Sequence, residues 1–148
     1  MSKRKILISI LAVSFILASL GINFIRQKFV VPIIMYHSVT PTAVPENRLT
    51  VSVSAFERQI RFLKKNYNVL PLEHLADSIK GRKKIPPHAI AITFDDGYKD
   101  NYNSAFPVLK KYNLPATIFI IVDEVGRPDR LSWDEIKTMQ DTGLITFG

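Results

Sequence analysis

Residues 90–98 read IAITFDDGY, an apolar run that leads straight into two carboxylates and a glycine. The run reaches Phe94 without a charged residue, which is typical of a strand buried on both faces. Asp95 and Asp96 repel each other and lose hydration on folding, so such a pair persists where a cation or a proton-transfer task offsets the cost. Gly97 then allows a sharp turn, because glycine adopts positive φ freely. Taken alone, the pair also fits a structural role in a turn.

The rest of the chain alternates between apolar strands and helices. Further strands are predicted at residues 30–35, 68–70, 116–122 and 144–147, with a proline-containing loop at 40–50. Helices are predicted at residues 54–66, 72–81, 102–112 and 132–143. This alternation predicts an α/β fold in which helices cover a parallel sheet, and both a doubly wound sheet and a β/α barrel fit it. In either arrangement the chemistry lies at the carboxyl ends of the strands.

Two of the predicted helices begin with a capping-box pattern, in which a serine is followed three residues later by a glutamate. The two patterns are Ser54 with Glu57 and Ser132 with Glu135. In the first of these helices Phe56, Ile60 and Leu63 recur at helical spacing, which predicts one apolar face packed on the sheet.

Polar residues other than the acidic pair also fall at strand ends. His37 follows the first predicted strand and is expected at the same edge as Asp95, either as a hydrogen-bonding structural histidine or as a residue that lines the site. Tyr98 is a second possible site-lining residue because it adjoins the acidic pair. His74 and His88 are interpreted as surface residues, and Trp133 as a packing residue at the start of a helix.

Charge and composition exclude several classes of protein. The 148 residues carry 20 Lys and Arg, 13 Asp and Glu and no cysteine, for a formal net charge of +7. Five of the basic residues and none of the acids lie in the first 30 residues, so the remainder has 15 basic against 13 acidic residues. That balance is too mild to indicate a nucleic-acid partner. The absence of cysteine excludes disulfides, a thiol nucleophile and a cysteine-based zinc site.

The N-terminus predicts a membrane segment. Residues 6–25 contain no charge and are numerous enough to span a bilayer as a helix, and Lys3, Arg4 and Lys5 before them favour a cytoplasmic N-terminus. Residues 1–28 are therefore predicted to be a signal anchor, a single-pass transmembrane helix in the cell membrane, with residues 29–148 as an extracytoplasmic domain. A cleavable signal, which would release a secreted or periplasmic domain, is the alternative, and a buried soluble helix is the least favoured interpretation.

The acidic segment and its surroundings resemble one family. Thr93–Tyr98 resembles the first signature motif of the polysaccharide deacetylases, the NodB-like carbohydrate esterases. Three other segments resemble parts of the same family in the same order: Ile34–Val39, Leu114–Phe119, and Leu131–Asp134 with 142–148. The resemblance covers residues 31–148 and implies the N-terminal portion of a distorted β/α barrel with fewer than eight regular units.

The resemblance also implies a reaction and roles for the acidic pair. Family members are metal-dependent N-deacetylases of acetylated polysaccharides such as chitin-like, peptidoglycan or exopolysaccharide N-acetylglucosamine polymers. By resemblance, Asp95 is the general base and Asp96 binds a divalent metal, usually zinc. The physical chemistry agrees, because a carboxylate committed to a cation leaves its neighbour free to accept a proton.

The family supplies two further metal ligands from a His-x-x-x-His motif, expected just after a segment like Ile145–Gly148, where this sequence ends. We therefore expect a domain truncated at its C-terminus and inactive as it stands. A membrane-anchored, non-catalytic carbohydrate-binding or regulatory remnant is the alternative. A phosphoacceptor receiver domain fits poorly because its acidic pair lies near the start, and Asp95, Gly97 and Lys99 do not follow EF-hand spacing. The sequence carries no signal for an oligomeric state.

Overall fold

The computed structural model describes residues 8, 10–19, 31–42, 46–81 and 84–148. The chain divides into two units, residues 1–30 and 31–148, and each is described by itself. In the first unit residues 10–19 are helical, and their large apolar side chains are exposed. No helix among the described residues is long and apolar enough to cross a membrane. The predicted span at 6–25 includes residues 6, 7, 9 and 20–25, which lie outside the described residues.

The second unit is built on a parallel sheet. Its strands are β1 (Ile33–Tyr36), β2 (Ser38–Thr40), β3 (Thr50–Ser52), β4 (Asn68–Val69), β5 (Ala89–Phe94), β6 (Ala116–Ile118) and β7 (Ile145–Phe147). The main sheet has the order β1-β5-β6-β7, and β4 pairs with the start of β5. All of these pairings are parallel. The predicted α/β class is confirmed.

The register brings the carboxyl ends of the main strands together. Tyr36 pairs with Phe94, Phe94 with Ile118, and Ile118 with Phe147. The residues that follow these four strands therefore meet at one edge of the sheet. Along this path the strand order follows the chain without the reversal that a doubly wound sheet requires. The order fits the barrel portion that the family resemblance implies.

Four helices cover the sheet. They are α1 (Val53–Asn66), α2 (Leu72–Ile79), α3 (Phe106–Tyr112) and α4 (Trp133–Gln140). The predicted apolar face of α1 is confirmed, because Phe56, Ile60 and Leu63 are all buried. Phe56 packs edge-on against Tyr36 and Phe94, with ring centroids 5.0 and 5.8 Å away. This aromatic cluster lies behind the carboxyl edge of β1 and β5 and supports it.

The capping-box prediction is right for α4 and wrong for α1. Ser132 and Glu135 bond reciprocally at the start of α4, as the pattern predicts. The cap of helix α1 lies two residues earlier than expected, because extended Ser52 accepts the N–H of Ala55 through its hydroxyl and Ser54 is already helical. Glu57 is then too far along the helix to reach back to the cap, and it accepts from Lys111 instead.

Two other expectations for local structure are confirmed in part. The predicted loop 40–50 is shorter than expected, because its first and last residues belong to the parallel pair β2 and β3. The predicted helix 102–112 is helical throughout, but Asn101–Ala105 is a π turn that leads directly into α3. Pro107 lies at the start of α3 and has no N–H to donate, which favours a change in the hydrogen-bond pattern there.

The predicted strand 116–122 ends early, at Ile118. At this end of the strand, Phe119 N–H donates to the carbonyl of Phe94 and Ile120 N–H to that of Gly148. The chain then turns into a 3-10 helix at Val122–Glu124. The side chain of Val122 is 62% exposed. The apolar run therefore extends past the end of the strand.

Candidate functional site

The acidic pair lies at the carboxyl edge of the sheet, where the sequence predicts it. Strand β5 is buried along its whole length, and Asp95 is the first residue beyond it. The N–H of Asp95 donates to the carbonyl of Tyr36 over 2.9 Å, which continues the β1–β5 ladder by one residue. Both carboxylates are half-buried. Because the strand is fixed on both sides, the start of the following loop is fixed as well.

We call the segment Asp95–Asn101 the acidic loop. It turns sharply at its start, with left-handed φ values of 69° at Asp96 and 61° at Gly97. Aspartate tolerates this region better than most residues, and glycine adopts it freely. At Gly97 there is also no room for a side chain, since a Cβ would lie 2.9 Å from Cγ2 of Ile120. The extended backbone of the strand therefore ends at Asp95, and Asp96 already belongs to the turn.

His37 and Asp95 lie side by side. They are the first residues after β1 and β5, and His37 Nε2 lies 4.0 Å from Asp95 Oδ2. The imidazole is 17% exposed and the carboxylate 31% exposed, so both border the solvent at this edge. The separation exceeds a direct hydrogen bond but is close enough for charge interaction or a bridging water. The structure thus brings together two of the residues singled out in the sequence.

Tyr98 takes part in a contact that the sequence does not show. Its ring lies under the guanidinium of Arg130, whose Cζ atom is 4.0 Å from the ring centroid. Arg130 also donates to Glu124 over 2.6 Å and to Asp129 over 3.1 Å. Burial opposes the charge of Arg130, but the bond to Glu124 and the charge of Asp129 outweigh it and raise its pKa. Tyr98 therefore joins the acidic loop to an ion-pair cluster, and a site-lining role for it stays a prediction.

The acidic loop is also fastened to the start of α4. The carbonyl of Gly97 accepts from the N–H of Leu131 over 2.9 Å, and the N–H of Lys99 donates to Asp129 over 2.9 Å. The Lys99 ammonium lies 2.8 Å from Glu135, the glutamate of the capping box. One carboxylate therefore serves the helix cap and the loop together.

Asp100 and Asn101 contact the segment after β1, although neither was predicted to be a site residue. Asn101 donates to the carbonyl of His37, and Asp100 accepts from Ser38 and Val39. Their partners are about 60 residues away in the chain, and neither residue has a motif spacing that signals the contact. Only the pairing of β1 with β5, which the sequence leaves open, brings these segments together.

The segment Phe119–Val122, called here the apolar loop, leaves the same edge from β6. Ile120 touches the acidic loop at Gly97. Phe119, Ile121 and Val122 are exposed. Trp133, expected to be a packing residue, is 59% exposed as well, so that interpretation was wrong.

A groove in this unit lies away from the acidic pair. A cavity of about 630 Å³ between β1 and α1 is lined mainly by apolar side chains, including Met35, Phe62 and Tyr67. None of the predicted site residues lines it. The candidate site is therefore defined by the acidic loop and His37 and not by this groove.

The donor set around the acidic pair is suited to a cation but is incomplete. Carboxylate oxygens are good ligands for hard and borderline divalent ions, and Asp96 offers one at the sheet edge. Within the described ranges there is no group of three or more His, Asp or Glu side chains that could hold a metal ion. A catalytic zinc site takes three protein ligands. The described residues can contribute to such a site but do not make one by themselves.

Comparison with known proteins gives a consistent result. The family profile of the polysaccharide deacetylases matches residues 82–148. A putative polysaccharide deacetylase of Bacillus subtilis, YxkH, is 39% identical over 114 residues, which are 76% of this chain and 39% of that protein. A poly-beta-1,6-N-acetyl-D-glucosamine N-deacetylase of Staphylococcus aureus is 40% identical over 104 residues, 66% of this chain and 36% of that protein. The chain thus spans about two fifths of the length of these relatives.

Solved structures agree with the sequence matches. IcaB from Ammonifex degensii has a TM-score of 0.73 at 32% identity, covering 80% of this chain and 51% of that one. The Streptococcus pyogenes deacetylase PplD has a TM-score of 0.71 at 30% identity, covering 79% of this chain and 54% of that one. The described α/β architecture is therefore shared with about half of each of these two chains.

Proposed function

From the premise that residues 82–148 belong to the polysaccharide deacetylase family, we propose that this chain takes part in removing acetyl groups from an acetylated polysaccharide. The observation that carries the proposal is the pair Asp95 and Asp96, which lies beside His37 where a parallel sheet ends. This is the edge at which α/β folds place their chemistry. Residues 29–148 would form the first part of the deacetylase domain.

The substrate in this proposal is a polymer of N-acetylglucosamine, and the bond hydrolysed is the N-acetyl amide. Support comes from the Staphylococcus aureus relative, whose name specifies poly-beta-1,6-N-acetyl-D-glucosamine. A de-N-acetylase from Aggregatibacter actinomycetemcomitans adds a structural match with a TM-score of 0.72 at 27% identity.

Asp95 is proposed to accept a proton from the attacking water. It is partly exposed at the sheet edge, and the bond from its own N–H to Tyr36 fixes its backbone at the end of β5. A positioned general base of this kind contributes about 10²- to 10⁴-fold to a reaction rate.

Asp96 is proposed to contribute one carboxylate oxygen to a divalent ion, with zinc expected from the family resemblance. When bound, such an ion lowers the pKa of water and polarises the amide carbonyl. Because the described residues hold no set of three ligating side chains, we propose that the 148-residue chain alone neither binds the ion tightly nor releases acetate.

A non-catalytic role is the second candidate. In that role the chain would be a membrane-anchored protein that binds carbohydrate or regulates without hydrolysing it. The two candidates differ in one respect: only the first requires Asp95 to accept a proton.

We further propose that residues 1–28 anchor the chain in the cell membrane with the domain outside the cytoplasm, or are cleaved to release it. The uncharged run at 6–25 and the exposed apolar side chains of residues 10–19 support this location. A reporter enzyme active only outside the cytoplasm, joined after Gly148, should be active in cells. Activity confined to a cytoplasmic reporter would contradict the proposal.

The test of function uses a fusion enzyme, in which this chain is joined to the part of the Staphylococcus aureus relative that follows the matched region. We expect the fusion enzyme to release acetate from N-acetylglucosamine oligomers, and to stop when a chelator is added. The 148-residue chain alone should release none. Acetate release by the 148-residue chain would refute the incomplete-site argument, and a fusion enzyme that folds and binds metal but releases no acetate would favour the non-catalytic candidate.

A further inference from the structure

We propose that Asp100 and Asn101 are positioning residues, which together clamp the segment after β1 and thereby hold His37 beside Asp95. The inference rests on the proposed function only for its consequence, the alignment of a reaction site. The clamp itself consists of hydrogen bonds, which can be measured whether or not the chain catalyses a reaction.

The main sheet does not hold His37 in place. The last ladder bond between β1 and β5 runs from Asp95 N–H to the carbonyl of Tyr36, one residue before the histidine. From Ser38 the chain belongs to β2, which pairs with β3 and not with the main sheet. His37 is thus the junction between two sheets, and its position relative to Asp95 must be set by other contacts.

The clamp supplies those contacts at three consecutive residues. The side-chain amide of Asn101 donates to the carbonyl of His37 over 2.8 Å. The carboxylate of Asp100 accepts from the Ser38 hydroxyl over 2.5 Å and from the Val39 N–H over 3.0 Å. Asn101 also donates to Asp100 over 3.2 Å, so the two side chains act as one unit.

Burial makes these bonds costly to lose. Asn101 is 1% exposed and Val39 is fully buried, so neither group can exchange its partner for bulk water. Within the part of the chain that the structure describes, Asn101 Oδ1 is a buried atom without a partner, so the amide is held through its donations. Both bonds of its Nδ2 go to oxygen acceptors, which fixes the orientation of the amide.

The clamp differs from ordinary packing in depending on which atoms donate. Asn101→Asp keeps the shape of the side chain but replaces the donating amide by a carboxylate. This carboxylate cannot donate to the carbonyl of His37 or to Asp100. Asp100→Ala removes both acceptors. Asp100→Asn keeps one oxygen for Val39, and its amide can donate to the Ser38 hydroxyl, which is able to reverse its role. Two variants should therefore break the clamp, and a third of similar shape should preserve it.

The test is nuclear magnetic resonance on the full 148-residue chain, held in solution with mild detergent and labelled at histidine and at backbone amides. In Asn101→Asp and Asp100→Ala we expect the His37 signals to move and the Val39 amide to exchange at least about tenfold faster, as befits the loss of a buried bond to a charged group. The signals of His74 and His88 should stay in place as internal controls. Asp100→Asn should resemble the unaltered chain.

Unchanged His37 signals and Val39 exchange in folded Asn101→Asp and Asp100→Ala would overturn the proposal, as would equal movement of all three histidines in every variant that folds. If both variants unfold, Ser38→Ala carries the test, because it removes a single hydroxyl of the clamp. A change confined to His37 and Val39 supports the clamp, and no change refutes it. None of these results depends on acetate release, so a failure of the clamp is distinguishable from a failure of the proposed function.

Discussion

The acidic loop and the apolar loop leave the same edge of one sheet from neighbouring strands, yet they are held in different ways. The acidic loop is bonded to three other parts of the chain: the segment after β1, the residues before α4, and the cap of α4. The apolar loop makes its last cross-strand bond at Ile120 and continues with a local bond from Glu124 to Ile121. It leaves Phe119 and Val122 exposed.

The difference shows what fixes a loop at the end of a parallel strand. Apolar content alone does not do so, since residues 119–122 are all apolar and lie outside the strands. Polar side chains that reach distant backbone groups do, because each buried bond they make is costly to break. The loop that carries the carboxylates is therefore also the loop with the more extensive polar contacts.

Gly97→Ala tests the comparison with the largest expected effect on stability. The substitution forces a side chain into a left-handed conformation and places its Cβ 2.9 Å from Cγ2 of Ile120, so we expect a loss of about 2–4 kcal/mol. Gly126→Ala is the matched control, because its φ is also positive but nothing lies within 4 Å, and about 1–2 kcal/mol is expected. Urea unfolding of residues 31–148 measures both.

A double variant isolates the part of the Gly97→Ala destabilisation that comes from crowding against Ile120. In an Ile120→Ala background the Cγ2 atom is gone, and the cost of Gly97→Ala should fall towards that of Gly126→Ala. An equal cost for Gly97→Ala in both backgrounds would mean that the two loops do not touch as described.

Glu135→Gln tests the bond between the acidic loop and α4. Burial opposes the charged form of Glu135, but the bonds from Lys99 and Ser132 outweigh it and lower its pKa. Folding therefore favours the ionised form, and its stabilisation is present above the unfolded pKa and lost as pH falls through the folded one. We expect a loss of about 1 kcal/mol at pH 7 that shrinks towards zero in acid.

The control for this substitution is Asp134→Asn, which removes a carboxylate from the same turn of α4. Its effect should be smaller at pH 7, since Asp134 belongs to the first turn but not to the capping box. Denaturant unfolding across the pH range measures both variants. A cost of Glu135→Gln that is constant from pH 7 into acid would show that the bond to Lys99 does not depend on charge.

Val122→Thr gives the smallest expected effect and tests the other loop. The side chain is 62% exposed and lies past the end of β6, so removing apolar character there should change stability by less than about 0.5 kcal/mol. The same substitution in a buried strand, as at Val39, should cost several times more. A large loss at position 122 would mean that the apolar loop is covered in solution.

Much of the fold was predictable because its signals are local. The buried strand up to Phe94, the apolar face of α1 and the capping box at Ser132 follow from residues close in sequence, and all were confirmed. The end of β6 at Ile118 was not predictable, since the apolar run continues to Val122 without a local stop signal. The start of α1 was missed because Ser52 and Ser54 are equally good caps, and only the extended backbone at Ser52 distinguishes them.

The residues of the candidate site also divide into those with a local sequence signal and those without one. The acidic pair stands out in the sequence, and parallel-strand topology alone placed His37 at its edge. Asp100 and Asn101 could not be found, because their partners lie about 60 residues away and depend on the pairing of β1 with β5. Tyr98 was noted for its place beside the pair, and its contact with Arg130 depends on the same kind of distant pairing.

The most direct test of the account separates the two carboxylates in the fusion enzyme. Acetate release and zinc affinity are measured for Asp95→Asn and Asp96→Asn. Asp95→Asn should keep its affinity for zinc and lose at least about 100-fold in turnover, because an amide cannot accept the proton. Asp96→Asn should lose about tenfold or more in zinc affinity. Equal zinc affinity in the two variants, with turnover retained by Asp95→Asn, would contradict the assignment of their roles.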